Sequence, residues 1–209
     1  KAEGRENDIW IEAENGRKVR LAQLRNQTDE RSRSLADYVA ENDYVGLFAV
    51  SAGVGLAEQI EAYKAAGNDY DAIMIKLLAD RLTEALGQVA HLKMRRQMWG
   101  YEQGEMPSVQ DVVADRFSGA RMAFGYPSCP DHSLKKEVFE LLNVEERTPL
   151  RLTENYMISP GESICGIILA DERAEYFDVG RIDEEQLADY AARRGMDEEE
   201  IKRLIPNNI

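Results

Sequence analysis

Between Asp69 and Met98, apolar residues recur at Ile73, Leu77, Leu78, Leu82, Leu86, Val89 and Leu92, mostly three or four apart with charged residues between them. That period belongs to an amphipathic α-helix, because strand side chains change face at every residue. The spacing therefore predicts one long helix over about 69–98, ending near Gly100. Any fold for this chain has to accommodate it.

The remaining elements are shorter and of mixed type. Apolar and polar residues alternate from Asn7 to Ala13, Glu14-Asn15-Gly16 offers a type I′ turn, and Lys18 to Leu24 returns, which reads as a β-hairpin. Asp43 to Ser51 is a nearly continuous apolar run of strand length, followed by Ala52-Gly53-Val54-Gly55 and a helix. Ser108 is a candidate N-cap for a short helix, Leu134 to Leu142 reads as a helix, and strands are expected near 150–158, 163–169 and 175–179. Two late helices begin with capping boxes, Asp183-x-x-Gln186 and Asp197-x-x-Glu200. Strands in neighbouring clusters separated by helices of unequal length predict an α+β fold with a mainly antiparallel twisted sheet and flanking helices, as one domain over 1–209.

Composition narrows the function classes. Against 26 Lys and Arg stand 39 Asp and Glu, a formal charge of −13, which disfavours nucleic acid and anionic membranes as partners. Basic residues still cluster at Lys93, Arg95 and Arg96, at Lys135 and Lys136, and at Arg193 and Arg194, either as solvated helix faces or as surfaces for an acidic partner. Two cysteines, Cys129 and Cys165, form no framework and fit a reducing cytoplasm. No apolar run approaches a membrane span, and Lys1 to Asp8 does not open a signal peptide.

Most chemical motifs fail on inspection. The strand-glycine-helix stretch Ala49 to Leu56 lacks the third glycine of a nucleotide loop and is followed by no series of strand-helix units, so tight strand-to-helix packing accounts for it better. Cys129 and His132 would give a metal at most two ligands, and no nucleophile stands beside an evident base. The segment Arg121-Met-Ala-Phe-Gly-Tyr-Pro-Ser-Cys-Pro-Asp-His132 differs. Gly125, Pro127 and Pro130 preclude regular structure across 121–130, and the bend presents a guanidinium and an aromatic ring. Arginine grips a carboxylate with two parallel bonds, so a zwitterionic ligand suits the loop, as does a plain structural role.

This loop resembles the signature of the activation domain of cobalamin-dependent methionine synthases. The likeness continues, in the family's order, through Leu35 to Tyr38, Asp43 to Val50, Asp69-Tyr70, Leu78 to Leu82, Trp99 to Tyr101, Leu152 to Glu154, Tyr176-Phe177 and Asp189 to Ala191. The resemblance implies S-adenosylmethionine (AdoMet) as ligand, lying against Arg121, Tyr126, Tyr176 and Phe177, with Arg121 on the carboxylate and the Ala123 backbone on the adenine. Glu84 and Asp115 match acidic positions of the family and join the candidate site.

It further implies a part of a 5-methyltetrahydrofolate–homocysteine methyltransferase in methionine biosynthesis. The module supports reductive methylation of cob(II)alamin to methylcobalamin, with cobalamin carried by a partner domain and electrons supplied by a flavodoxin-like reductant. The domain then needs no catalytic residue or metal of its own, only correct placement of a methyl donor. Because such reductants are acidic, docking is expected on a local basic patch at Lys93, Arg95 and Arg96. Two departures stand out. Met122 and Phe124 replace prolines of the family loop, implying a less rigid bend, and the family domain extends upstream of Lys1 to an aspartate with no counterpart in this sequence. The alternative of another class is a noncatalytic interaction or regulatory module with the same fold and weak or no AdoMet binding.

Overall fold

The computed structural model describes residues 1–114 and 116–209. β1 (Ala2–Arg5), β2 (Asp8–Glu12) and β3 (Lys18–Ala22) form an antiparallel meander. The hairpin between β2 and β3 is present, but its turn is not type I′. Gly16 alone takes a positive φ, 76°, while Ala13 N–H reaches Arg17 O at 2.9 Å and Gly16 N–H reaches Ala13 O at 2.9 Å. A three-residue loop ending in a left-handed glycine does the work, because Asn15 keeps an ordinary φ and only Gly16 is free of the Cβ penalty.

β4 (Gly46–Ser51) leads through the glycine-containing turn into α1 (Leu56–Ala65), which packs on α2 (Asp69–Lys93). The turn is a packing device: Ala52 N–H bonds to Glu162 O (3.1 Å) and to Thr83 Oγ1 (3.2 Å), joining β4 to α2. α2 starts at Asn68, whose side chain accepts from Asp71 N, and it continues into a wider π-type turn over Met94–Met98. The long helix is thus where the periodicity puts it. Its large apolar residues, however, point outward, with Ile73 61% and Leu82 58% exposed, while Ala72, Ala79, Thr83, Gly87 and His91 are buried.

α3 (Val109–Val113) is capped by Ser108 and Asp111 reciprocally. β5 (Ala120–Ala123) follows, so the bend begins as regular strand, contrary to the proline argument for 121–130. Its residues precede the prolines and find a ladder on β8, a partner far along the chain. α4 (Lys135–Leu142), α5 (Val144–Arg147), the small hairpin of β6 (Arg151–Leu152) and β7 (Ile158–Ser159), and β8 (Ser163–Leu169) complete the middle. β8 is central in the order β4-β8-β5, antiparallel on both sides, with α2 and α4 each packed against it. Covered on both faces, it is apolar at almost every position.

No strand forms at 175–179. That segment lacks a ladder and gives its backbone groups to side chains and loops instead: Phe177 N to Ser128 Oγ (3.1 Å), Val179 N to Pro127 O (3.0 Å), and Asp178 O to Asn26 Nδ2 (2.6 Å). α6 (Glu184–Arg194) and α7 (Glu198–Leu204) close the chain. Asp183 caps Gln186 N at 2.8 Å, but Gln186 does not return the bond; its amide clamps the Arg25 backbone at 2.6 and 3.0 Å. All pairings among the described residues are antiparallel, in an α+β fold divided into three small sheets. No helix among the described residues is long and apolar enough to cross a membrane.

The expected basic patches are largely consumed internally. Arg95 is 1% exposed, 3.8 Å over the Phe117 ring and 3.2 Å from Glu102, because the π-type turn rotates it inward. Arg96 donates to the carbonyls of Gly104 and Glu105. Lys93, Arg95 and Arg96 therefore do not share an exposed surface. Lys135 is buried against His132 at 2.7 Å, and Arg193 and Arg194 pair with Asp8 and Glu137.

Candidate functional site

The β5 strand alternates sides: Met122 and, beyond its end, Phe124 are buried in the core, while Arg121 and Ala123 face the α2 side. The two residues standing where the family has prolines thus anchor the bend by their side chains, and Phe124 N–H bonds to Cys165 O at 3.1 Å, a donor that proline lacks. Gly125 then turns with φ 91°; a Cβ there would lie 2.4 Å from the His132 ring, so no other residue fits. Gly125 N–H to Cys129 O and Cys129 N–H to Tyr126 O, both 2.8 Å, close the bend. Asp131 accepts from Tyr190 at 2.7 Å and ties the loop to α6.

These elements enclose a cleft of about 450 Å³ between α2, β5, the bend and the segment at 174–176, a size suited to a nucleoside-sized ligand. Its walls include Glu84, Gln88 and His91 from successive turns of α2, Arg121 and Ala123 from β5, and Tyr126 and Tyr176. Arg121 Nη2 lies 3.4 Å from Glu84 Oε2, and Tyr126 donates its hydroxyl to Glu84 Oε1 at 3.1 Å. Burial first, then the Glu84 carboxylate, holds the Tyr126 phenol above its ordinary range. Gly87 lets Arg121 lie close to the helix, since a Cβ there would come within 2.9 Å of Nη1.

Arg121 is only 13% exposed, and its Nε is buried with no hydrogen-bond partner among the described residues. The rest of the guanidinium lines the cleft, where an incoming anion can pair with it. The donor set fits a molecule carrying a carboxylate and an aromatic base: Arg121 for the one, Tyr126 and Tyr176 (42% and 55% exposed) as ring faces for the other.

Five of the candidates, Glu84, Arg121, Ala123, Tyr126 and Tyr176, line this one cleft. Phe177 is placed behind it, with its ring 4% exposed under the Arg33 guanidinium at 5.2 Å. Asp115 lies outside the described residues. Gln88, His91, Phe117 and Gly119 also line the cleft and were not among the candidates. For two of them a signal was present: Glu84, Gln88 and His91 stand at i, i+4 and i+7, one face of a helix. Burial, then Arg95 and Arg121, pushes His91 down to about 3, so its imidazole is neutral.

Comparison with known proteins places the fold in a family. A solved structure described as the MetH reactivation domain bound to AdoHcy superposes with a TM-score of 0.94 at 36% identity; the match covers 100% of this chain and 67% of that one. The sequence profile of the family described as vitamin B12 dependent methionine synthase, activation domain, matches residues 1–195. The chain therefore belongs to the activation-domain family of vitamin B12-dependent methionine synthase.

Proposed function

We propose that the cleft binds AdoMet and that the domain supports reductive methylation of cob(II)alamin to methylcobalamin on a cobalamin-carrying domain of the same enzyme, with a flavodoxin-like protein as reductant. The observation that carries this reading is Arg121, a guanidinium held 3.4 Å from Glu84 in the wall of a cleft that Tyr126 and Tyr176 also line. The AdoHcy-bound relative supports it, AdoHcy being AdoMet without the methyl group.

When bound, AdoMet supplies an electrophilic methyl group on a sulfonium. Arg121 holds the carboxylate, and the Ala123 backbone and the Tyr126 and Tyr176 rings hold the adenine. Glu84 fixes both Arg121 and Tyr126 and keeps negative charge beside a cationic ligand. Neutral His91 adds no repelling charge. The chain's contribution to rate is positional, presenting one methyl group in a fixed direction to a docked corrin.

Calorimetry with AdoMet and AdoHcy tests the reading. The wild-type chain should bind both, and Arg121→Ala should weaken binding about 30-fold or more, as expected for removing a buried charged partner. Arg121→Ala should also lower methylcobalamin formation in the whole enzyme with reductant. A wild-type chain that binds neither ligand would replace this reading with that of a noncatalytic interaction module.

A further inference from the structure

Gln88 is a polar side chain of the cleft wall that AdoMet binding, as described, leaves without a task. It follows Glu84 by about one turn of α2 and precedes His91 by nearly another, so it stands on the side of the helix that faces the cleft. It is half-buried, its amide has no hydrogen-bond partner among the described residues, and neither amide atom is closed off from solvent. An accessible amide offers a carbonyl acceptor and an N–H donor without carrying charge.

Its neighbours decide which part of the ligand it meets. Arg121 crosses α2 at Gly87, where an added Cβ would lie 2.9 Å from Nη1, and its Nη2 is 3.4 Å from Glu84 Oε2. The guanidinium thus spans the stretch from Glu84 to Gly87, and Gln88 is the next residue. A carboxylate held by Arg121 brings its α-ammonium group with it, on the adjoining carbon, and that cation needs an acceptor. Both Glu84 oxygens already have partners, Oε1 the Tyr126 hydroxyl and Oε2 the Arg121 guanidinium, whereas Gln88 Oε1 has none among the described residues. A neutral acceptor also sets no further negative charge against the ligand's own carboxylate.

We propose that Gln88 binds the α-ammonium group of the ligand through Oε1, so that Arg121 and Gln88 together select the zwitterionic amino-acid end of AdoMet. The proposal rests on the AdoMet reading and sharpens it.

The test pairs AdoHcy with its deaminated analogue, which keeps the nucleoside, the sulfur and the carboxylate but has hydrogen in place of the amino group. By calorimetry the wild-type chain should favour AdoHcy about 10-fold or more, the worth of one hydrogen bond to a charged group. Gln88→Leu, similar in size and a good helix former, should weaken AdoHcy binding by about the same factor and leave the analogue within about 2-fold, because only AdoHcy carries the group that Gln88 accepts from. The wild-type comparison uses no variant, so a misfolded one cannot obscure it. Equal wild-type affinity for the two ligands, unchanged AdoHcy affinity in Gln88→Leu, or equal loss for both ligands would each overturn the proposal while leaving AdoMet binding intact. Wild type binding neither ligand would instead remove the reading beneath it.

Discussion

The two sides of α2 reverse the usual relation between size and burial. The side against β4 and β8 carries Ala72, Ala79, Thr83, Gly87 and His91, whereas the solvent side carries Ile73, Leu77, Leu78, Leu82, Leu86 and Val89. In most amphipathic helices the large apolar residues face inward. Here the helix approaches the sheet closely, and the inner side also forms a wall of the ligand cleft, so it needs small residues, a bridging hydroxyl and a gap at Gly87 for Arg121. Periodicity reports which residues share a side. Which side is covered depends on what the tertiary structure brings against it.

This contrast can be broken by substitution. The largest effect is expected from Ala79→Leu on the inner side, where overpacking against the sheet should cost about 3 kcal/mol in denaturant unfolding. Thr83→Val should cost about 1 kcal/mol, because it removes the hydroxyl that accepts from Ala52 N and faces the carbonyls of Ala79 (2.9 Å) and Glu162 (2.8 Å), while Ala52 N keeps its bond to Glu162 O. The smallest change should come from the outer side: Leu78→Glu with Leu82→Glu should keep stability within about 0.5 kcal/mol and lower binding of a hydrophobic dye. A loss above about 2 kcal/mol from that double substitution would mean that the outer side is packed in solution, and the contrast would fail.

The elements legible in the sequence are those whose cause is local. The hairpin of β2 and β3, the apolar run of β4, α4 and the caps at Ser108, Asp183 and Asp197 each follow from neighbouring residues. β5 was not legible, since its four residues become a strand only by pairing with β8 more than forty positions away. The opposite happened at 175–179, where a strand-like composition found no partner strand. The candidate site divides the same way. Arg121, Gly125 and Tyr126 stand out because a glycine-proline bend is written in consecutive residues, and five family-matched positions gather around the same cleft. Phe117 and Gly119 acquire their place only when α2 and the segment before β5 meet.

From residue order alone came the long helix, the clustered antiparallel strands, the bend with its guanidinium, and the net negative charge. All depend on interactions over a few residues or on the summed charge. The tertiary structure decided which side of α2 is covered, that Arg95 is buried over the Phe117 ring, and that Arg121 and His91 line one cleft. Those outcomes depend on contacts between segments remote in the chain, and burial, which sets the strength of a charge or an unpaired donor, exists only after the segments have packed.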